Sequence, residues 1–132
     1  MTTTEVKIPF QDVDAMRIVW HGNYLRYFEV ARCDLLDSID YNYEEMGKSG
    51  FVWPVVDVKM HFGASAEFQD VVEVTTAIRE YEKCLRIAYE IRNVATGKRL
   101  TRGSTTQVAV NISDNQLCYS SPNILLQKLG VL

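Results

Sequence analysis

Only one stretch of this chain carries a long helical pattern, and that limits the fold more than any other feature. Apolar or aromatic residues stand at Tyr24, Leu25, Phe28, Ala31, Leu35 and Leu36, which is the spacing of one wide helical face. Arg26, Glu29, Arg32 and Asp34 supply the polar side, and Glu29 with Arg32 reads as an ordinary surface pair. The pattern predicts a helix that starts between Trp20 and Asn23 and ends near Asp37.

Most of the remaining chain has strand character. Val6–Phe10 alternates as a short strand, with Pro9 marking an end or an edge. Ser38–Gly50 is polar, with one helical turn around Tyr43–Met46. Phe51–Phe62, Asp70–Glu82, Cys84–Val94 and Leu100–Ile112 are rich in β-branched and aromatic residues. Glu82-Lys83, Thr96-Gly97-Lys98 and Ser113-Asp114-Asn115 read as turns. A short helix is expected over Pro122–Leu129, with Ser121 as its cap.

One apolar helix followed by an antiparallel meander is satisfied when the sheet curls around the helix and buries it. The expectation is therefore an α+β fold, an antiparallel sheet wrapped around one long central helix. The 132 residues suffice for one domain, residues 1–132, with a real core. Val, Ile and Tyr on both registers of some strands leave the outer sheet face half apolar. A homodimer at least is expected, with strands or sheet edges meeting across a two-fold axis.

Charge and cysteine usage remove several classes of function. The formal net charge is −3, without the basic excess usual in nucleic-acid binders. Met1-Thr2-Thr3-Thr4-Glu5 lacks the basic and apolar regions of a signal peptide, and no apolar run is long enough to span a bilayer. Cys33, Cys84 and Cys118 are odd in number and scattered, as reduced thiols of a cytoplasmic protein would be. His21 and His61 are forty positions apart, so no metal site is expected.

The chemistry concentrates just before the helix. Asp14 precedes His21 by a few residues, and the helix N-terminus follows. Free N–H groups there can hold a carbonyl oxygen as it becomes negative. A carboxylate nearby can attack that carbonyl or activate water to do so. From physics alone, Asp14 also reads as an acid favoured by the helix macrodipole, His21 as a capping or packing residue, and Trp20 and Tyr24 as core.

Asp12-Val13-Asp14-Ala15, followed by Ile18-Val19-Trp20-His21-Gly22-Asn23-Tyr24-Leu25-Arg26-Tyr27-Phe28-Glu29, resembles the hotdog-fold acyl-CoA thioesterases. The resemblance is to the branch of 4-hydroxybenzoyl-CoA thioesterase and the Tol-Pal-associated thioesterases, and the order of elements extends it over nearly the whole chain. It implies a hotdog fold and hydrolysis of an acyl or aryl thioester to the free acid and CoA. No cofactor is implied beyond the CoA of the substrate. Asp14 falls on the catalytic carboxylate, and His21 on a position that lines the site, where the backbone N–H polarises the carbonyl. Trp20, Gly22, Asn23 and Tyr24 fall on flanking, substrate-binding positions. Lys83 matches the basic residues that meet CoA phosphates at a hairpin tip, with Arg86 less closely matched. Such sites form between subunits of dimers that often pair into tetramers.

Two departures stand out. Met16-Arg17 occupies positions that are commonly small, often glycine, in the family, and Phe10 stands where some relatives have tyrosine. Other readings are an acyl-carrier-protein thioesterase, which requires a basic rim such as Arg17, Lys59, Lys83 and Arg86, and a non-catalytic acyl-CoA-binding protein. A hotdog dehydratase uses a different His and acid pairing, and the Asp14 motif argues against it.

Overall fold

A computed structural model describes residues 1–132. Strand β1 (Thr2–Lys7) leads into a 3-10 turn at Phe10–Asp12 and then helix α1 (Asn23–Ser38). The short helix α2 (Tyr43–Lys48) and the short strand β2 (Phe51–Val52) follow. Next come β3 (Val55–Phe62), β4 (Val71–Glu80), β5 (Leu85–Asn93), β6 (Arg99–Gln107), β7 (Val110–Asn111) and helix α3 (Asn123–Leu129). Five strands form one antiparallel sheet in the order β1-β4-β5-β6-β3, and β2 pairs separately with β7. The expected α+β architecture is present. The helix is short rather than long, at 16 residues or about 24 Å.

Helix α1 lies on one face of the sheet. Phe28, Ala31 and Leu36 are fully buried there, against Val72 and Val74 of β4 and Ile87 and Ile91 of β5. Phe28 stacks on Tyr89 with centroids 4.3 Å apart. Each such apolar side chain contributes roughly 1.5–3 kcal/mol by leaving water. Gly103 of β6 makes the approach feasible, since a Cβ there would sit 2.3 Å from the Lys59 carbonyl oxygen and 2.8 Å from the Phe28 ring.

Several boundaries differ from expectation for local reasons. β1 begins earlier, taking in β-branched Thr2, Thr3 and Thr4, and ends before Pro9. Pro54 divides the expected Phe51–Phe62 strand, because a residue without an N–H cannot continue the ladder. The expected Leu100–Ile112 strand divides after Gln107, where Val108 N–H turns to the Pro54 carbonyl at 3.3 Å. Ser121 does not cap α3. Pro122 holds the N-cap position, and the buried Ser121 hydroxyl has no partner.

Arg32 is not a surface residue. It is buried, ion-paired with Glu29 and hydrogen-bonded through Nε to the Tyr43 hydroxyl at 2.8 Å. Trp53 is core, with its indole N–H on the Tyr41 hydroxyl at 3.2 Å.

The sheet face away from α1 is polar rather than half apolar. Four exposed apolar residues, Val55, Val56, Val58 and Phe62, lie on the edge strand β3. No helix is long and apolar enough to cross a membrane.

Candidate active site

The segment between β1 and α1 folds back on itself as a small hairpin. Val13 bridges Val19, and Asp14 N–H donates to the Ile18 carbonyl at 2.9 Å. Arg17 N–H closes the turn on the Asp14 carbonyl, also at 2.9 Å, with Arg17 at φ +64°. That is the left-handed region in which a Cβ is unfavourable, a physical reason for glycine in such a turn. Arg17 is exposed and makes no ion pair with Asp14 within the chain.

Val19 N–H on the Ala66 carbonyl at 2.9 Å, together with the bridge between Ile18 and Glu67, ties this hairpin to the loop before β4. The two acids of the loop are held differently. Asp12 is 3% exposed, ion-paired to Arg26, and accepts the Tyr27 hydroxyl at 2.6 Å. Its carbonyl accepts Trp20 N–H at 3.0 Å and the Asn23 side-chain amide at 2.9 Å. Asp12 thus fixes the start of α1 relative to the loop. Asp14 is half-buried, and its Oδ1 accepts Met16 N–H at 2.8 Å while Oδ2 has no partner in the chain.

The N-terminus of α1 is uncapped. Gly22 is the N-cap residue, no side chain accepts from the first turn, and the first turn holds no acid. The N–H groups of His21 and Gly22 find no acceptor in the chain. The Trp20 ring lies over Gly22, where an added Cβ would come within 2.3 Å of it. Trp20 and His21 are exposed. Phe62 at the end of β3 completes an aromatic group, with centroids 5.8 Å from His21 and 5.9 Å from Tyr24.

Tyr24 faces inward, and its hydroxyl accepts Ala66 N–H at 3.1 Å. Burial pushes both the Tyr24 and Tyr27 phenols above their ordinary range, and Asp12 adds to the effect at Tyr27. Asn23 is used structurally, bridging the Asp12 carbonyl and Arg26.

The residues singled out in sequence therefore divide. Asp14, Trp20, His21 and Gly22 share one exposed loop and helix start. Tyr24 and Asn23 support it from below. Lys83 lies between β4 and β5, at the end of β4 opposite the Asp14 loop, about 30 Å away along a ten-residue strand. Asp12, Arg26 and Tyr27 were not candidates from sequence, yet they hold the loop. The Asp-x-Asp repeat was the available signal. Which of its acids is buried depends on Tyr27 and Arg26 folding back from the helix.

Comparison with known proteins bears on this arrangement. The chain matches the model of the thioesterase-like superfamily over residues 8–127. A Bacillus subtilis protein named as a candidate acyl-CoA thioesterase is 29% identical over 108 residues, which are 81% of this chain and 78% of that one. Among solved structures, a hypothetical protein of Thermus thermophilus superposes with a TM-score of 0.88 at 28% identity, over 100% of this chain and 99% of that one. A DHNA-CoA thioesterase from Staphylococcus aureus gives 0.81 at 29%, over 89% and 79% of the two chains.

Proposed function

The chain belongs to the thioesterase-like superfamily and is a thioester hydrolase, and on that premise we propose that it cleaves acyl-CoA at the start of α1 with Asp14 as the reacting carboxylate. The observation that supports this most directly is a half-buried acid with one unpartnered oxygen on the same loop as two unpartnered N–H groups. The thioester carbonyl lies toward the N–H groups of His21 and Gly22. Each donor aimed at the developing oxyanion is worth about 3 kcal/mol in the transition state.

Asp14 attacks the carbonyl carbon to give a mixed anhydride and release CoA thiolate, and water then opens the anhydride to the free acid, or Asp14 takes the proton of a water that attacks the carbonyl as CoA thiolate leaves. Its short bond to Met16 N–H holds the carboxylate in place in either case. The His21 ring, ordered between Trp20 and Phe62, orients water or donates to substrate. Trp20 and Phe62 form an aromatic wall for the acyl or aryl group.

The proposal includes a homodimer. β3 is an edge strand with an unpaired side and exposed valines, and such edges invite a second chain. Phe62 carries this edge to His21, so a second copy paired along β3 encloses the aromatic wall. Lys83 then serves CoA phosphates only as a residue of the other subunit, because its own loop is at the far end of β4.

Thiol release from a panel of short, long and aromatic acyl-CoAs tests the reading. Wild type turns over at least one of them, and Asp14→Asn retains the fold and molar mass while losing at least about a hundredfold in rate. Full activity in Asp14→Asn removes Asp14 from the chemistry. A monomeric mass in light scattering removes the shared site.

A further inference from the structure

The sheet face opposite α1 carries a second concave site, which the thioesterase reading does not use. The cross-strand register puts Ala77 of β4, Ala88 of β5, Ser104 of β6 and Lys59 of β3 in one row. Three small side chains on adjacent strands make a floor. Around it stand Lys59, Arg79, Arg92, Arg99 and Arg102, and together they line a cavity of about 710 Å³.

This placement of charge is unexpected in a chain of net charge −3. Glu90 is the only acid lining the cavity, and it pairs with Arg92 at 2.5 Å. Lys59, Arg79, Arg99 and Arg102 form no ion pair within the chain. Arg92 and Arg99 are direct cross-strand partners, and Arg102 stands between His61 of β3 and Glu90 of β5. Like charges directly opposite on a sheet destabilise it, and Glu90, paired with Arg92 and opposite Arg102, is the one acid lining the cavity that offsets them. An anion placed among these groups would reverse the sign of that interaction.

We propose that this face binds a small molecule containing a base and a pyrophosphate. Arginine dominates the rim, and its planar fork suits phosphate oxygens and stacks on aromatic bases. The alanine floor accepts a flat ring, and the Ser104 and Thr75 hydroxyls border it. The volume falls in the range of small-ligand sites.

The ligand chemistry is shared by free nucleoside diphosphates and by the nucleotide end of CoA. Binding is measured without turnover, so the proposal stands or falls independently of Asp14.

Calorimetric titration with ADP and with CoA, on wild type and on Arg79→Glu/Arg102→Glu, decides it. ADP binds wild type at about 0.15 M salt, and the double variant weakens it at least about thirtyfold with unchanged molar mass and circular dichroism. If ADP binds while the double variant keeps the wild-type KM for acyl-CoA, the occupant is a free nucleotide. If CoA displaces ADP and the variant raises KM about tenfold with kcat kept, the occupant is the nucleotide end of CoA. The proposal is overturned if neither compound binds at about 1 mM, or if the double variant binds ADP as well as wild type does. It is also overturned if the variant changes the molar mass, since the face is then a contact between copies. Binding of an acidic carrier protein but not ADP, lost in the variant, would make it a protein-docking face instead.

Discussion

Asp12 and Asp14 stand two positions apart in the same loop, yet the two halves of that loop serve different ends. The Asp12 half is closed. Its carboxylate is buried against Arg26 and Tyr27, and its carbonyl holds Trp20 and Asn23. The Asp14 half is open, with a turn built on a strained Arg17, one carboxylate oxygen fixed by Met16 N–H and the other unpartnered. A carboxylate whose oxygens are all engaged by protein donors is an anchor. One with an oxygen to spare, held in place, can react. The rigid half makes the open half useful, because a reacting group must be positioned by neighbours that do not move.

The largest expected effect tests the closed half. Asp12→Ala orphans the buried Tyr27 hydroxyl, a loss of about 1.5–3 kcal/mol for a bond to a charged group. The Arg26 side chain is 53% exposed, so its pair adds under about 1 kcal/mol. Urea unfolding should show a loss near 3 kcal/mol in all, and a change below about 0.5 kcal/mol would deny Asp12 its anchoring role.

Asp14→Asn should show the opposite profile. Stability stays within about 0.5 kcal/mol of wild type, because the amide oxygen still accepts Met16 N–H. The barrier to thiol release rises by about 2.7 kcal/mol, a hundredfold in kcat. Equal effects of the two substitutions on both stability and rate would erase the distinction between the halves.

Tyr27→Phe removes one donor to Asp12 and should cost about 1–2 kcal/mol in the same unfolding measurement. The Tyr24 and Tyr27 phenols have folded-state pKa values above their unfolded ones. At pH above about 10 the unfolded chain loses these protons while the folded chain keeps them. Stability is therefore full below about pH 10 and falls as pH rises toward the folded values. Thermal melts should show this alkaline loss, and Tyr27→Phe should blunt it. An unchanged alkaline limb in the variant would assign the loss to other groups.

The smallest effect belongs to the open turn. Arg17→Gly relieves a left-handed φ at a residue with a Cβ and should stabilise the chain by about 0.5–1 kcal/mol, net of the entropy glycine adds to the unfolded state. A loss of stability would mean that the Arg17 side chain holds the turn by contacts of its own.

Much of this was legible in the sequence. The helix boundaries, the buried alternation of Leu85, Ile87, Tyr89 and Ile91, and the neighbourhood of Asp14, His21 and Gly22 all follow from local spacing. Those signals are local because backbone dihedrals and side-chain periodicity are properties of a few consecutive residues. The partners of each long side chain were not legible. Arg32 reads as surface and is buried. Phe62 meets His21 across forty-one positions of chain.

The cations show the same division. Arg17, Lys59, Lys83 and Arg86 suggested one basic rim, but they lie on the loop, on β3, at the far tip of β4 and on β5. Arg79, Arg92, Arg99 and Arg102 gather with Lys59 instead. Local spacing dictates one helix, a set of strands and an acid poised before the helix start. Which acid is free, which aromatics surround it and which charges share a face depend on how the strands and helix pack together. Cross-strand register is set by the whole sheet, and shifting it by one residue would move every one of those side chains to the other side.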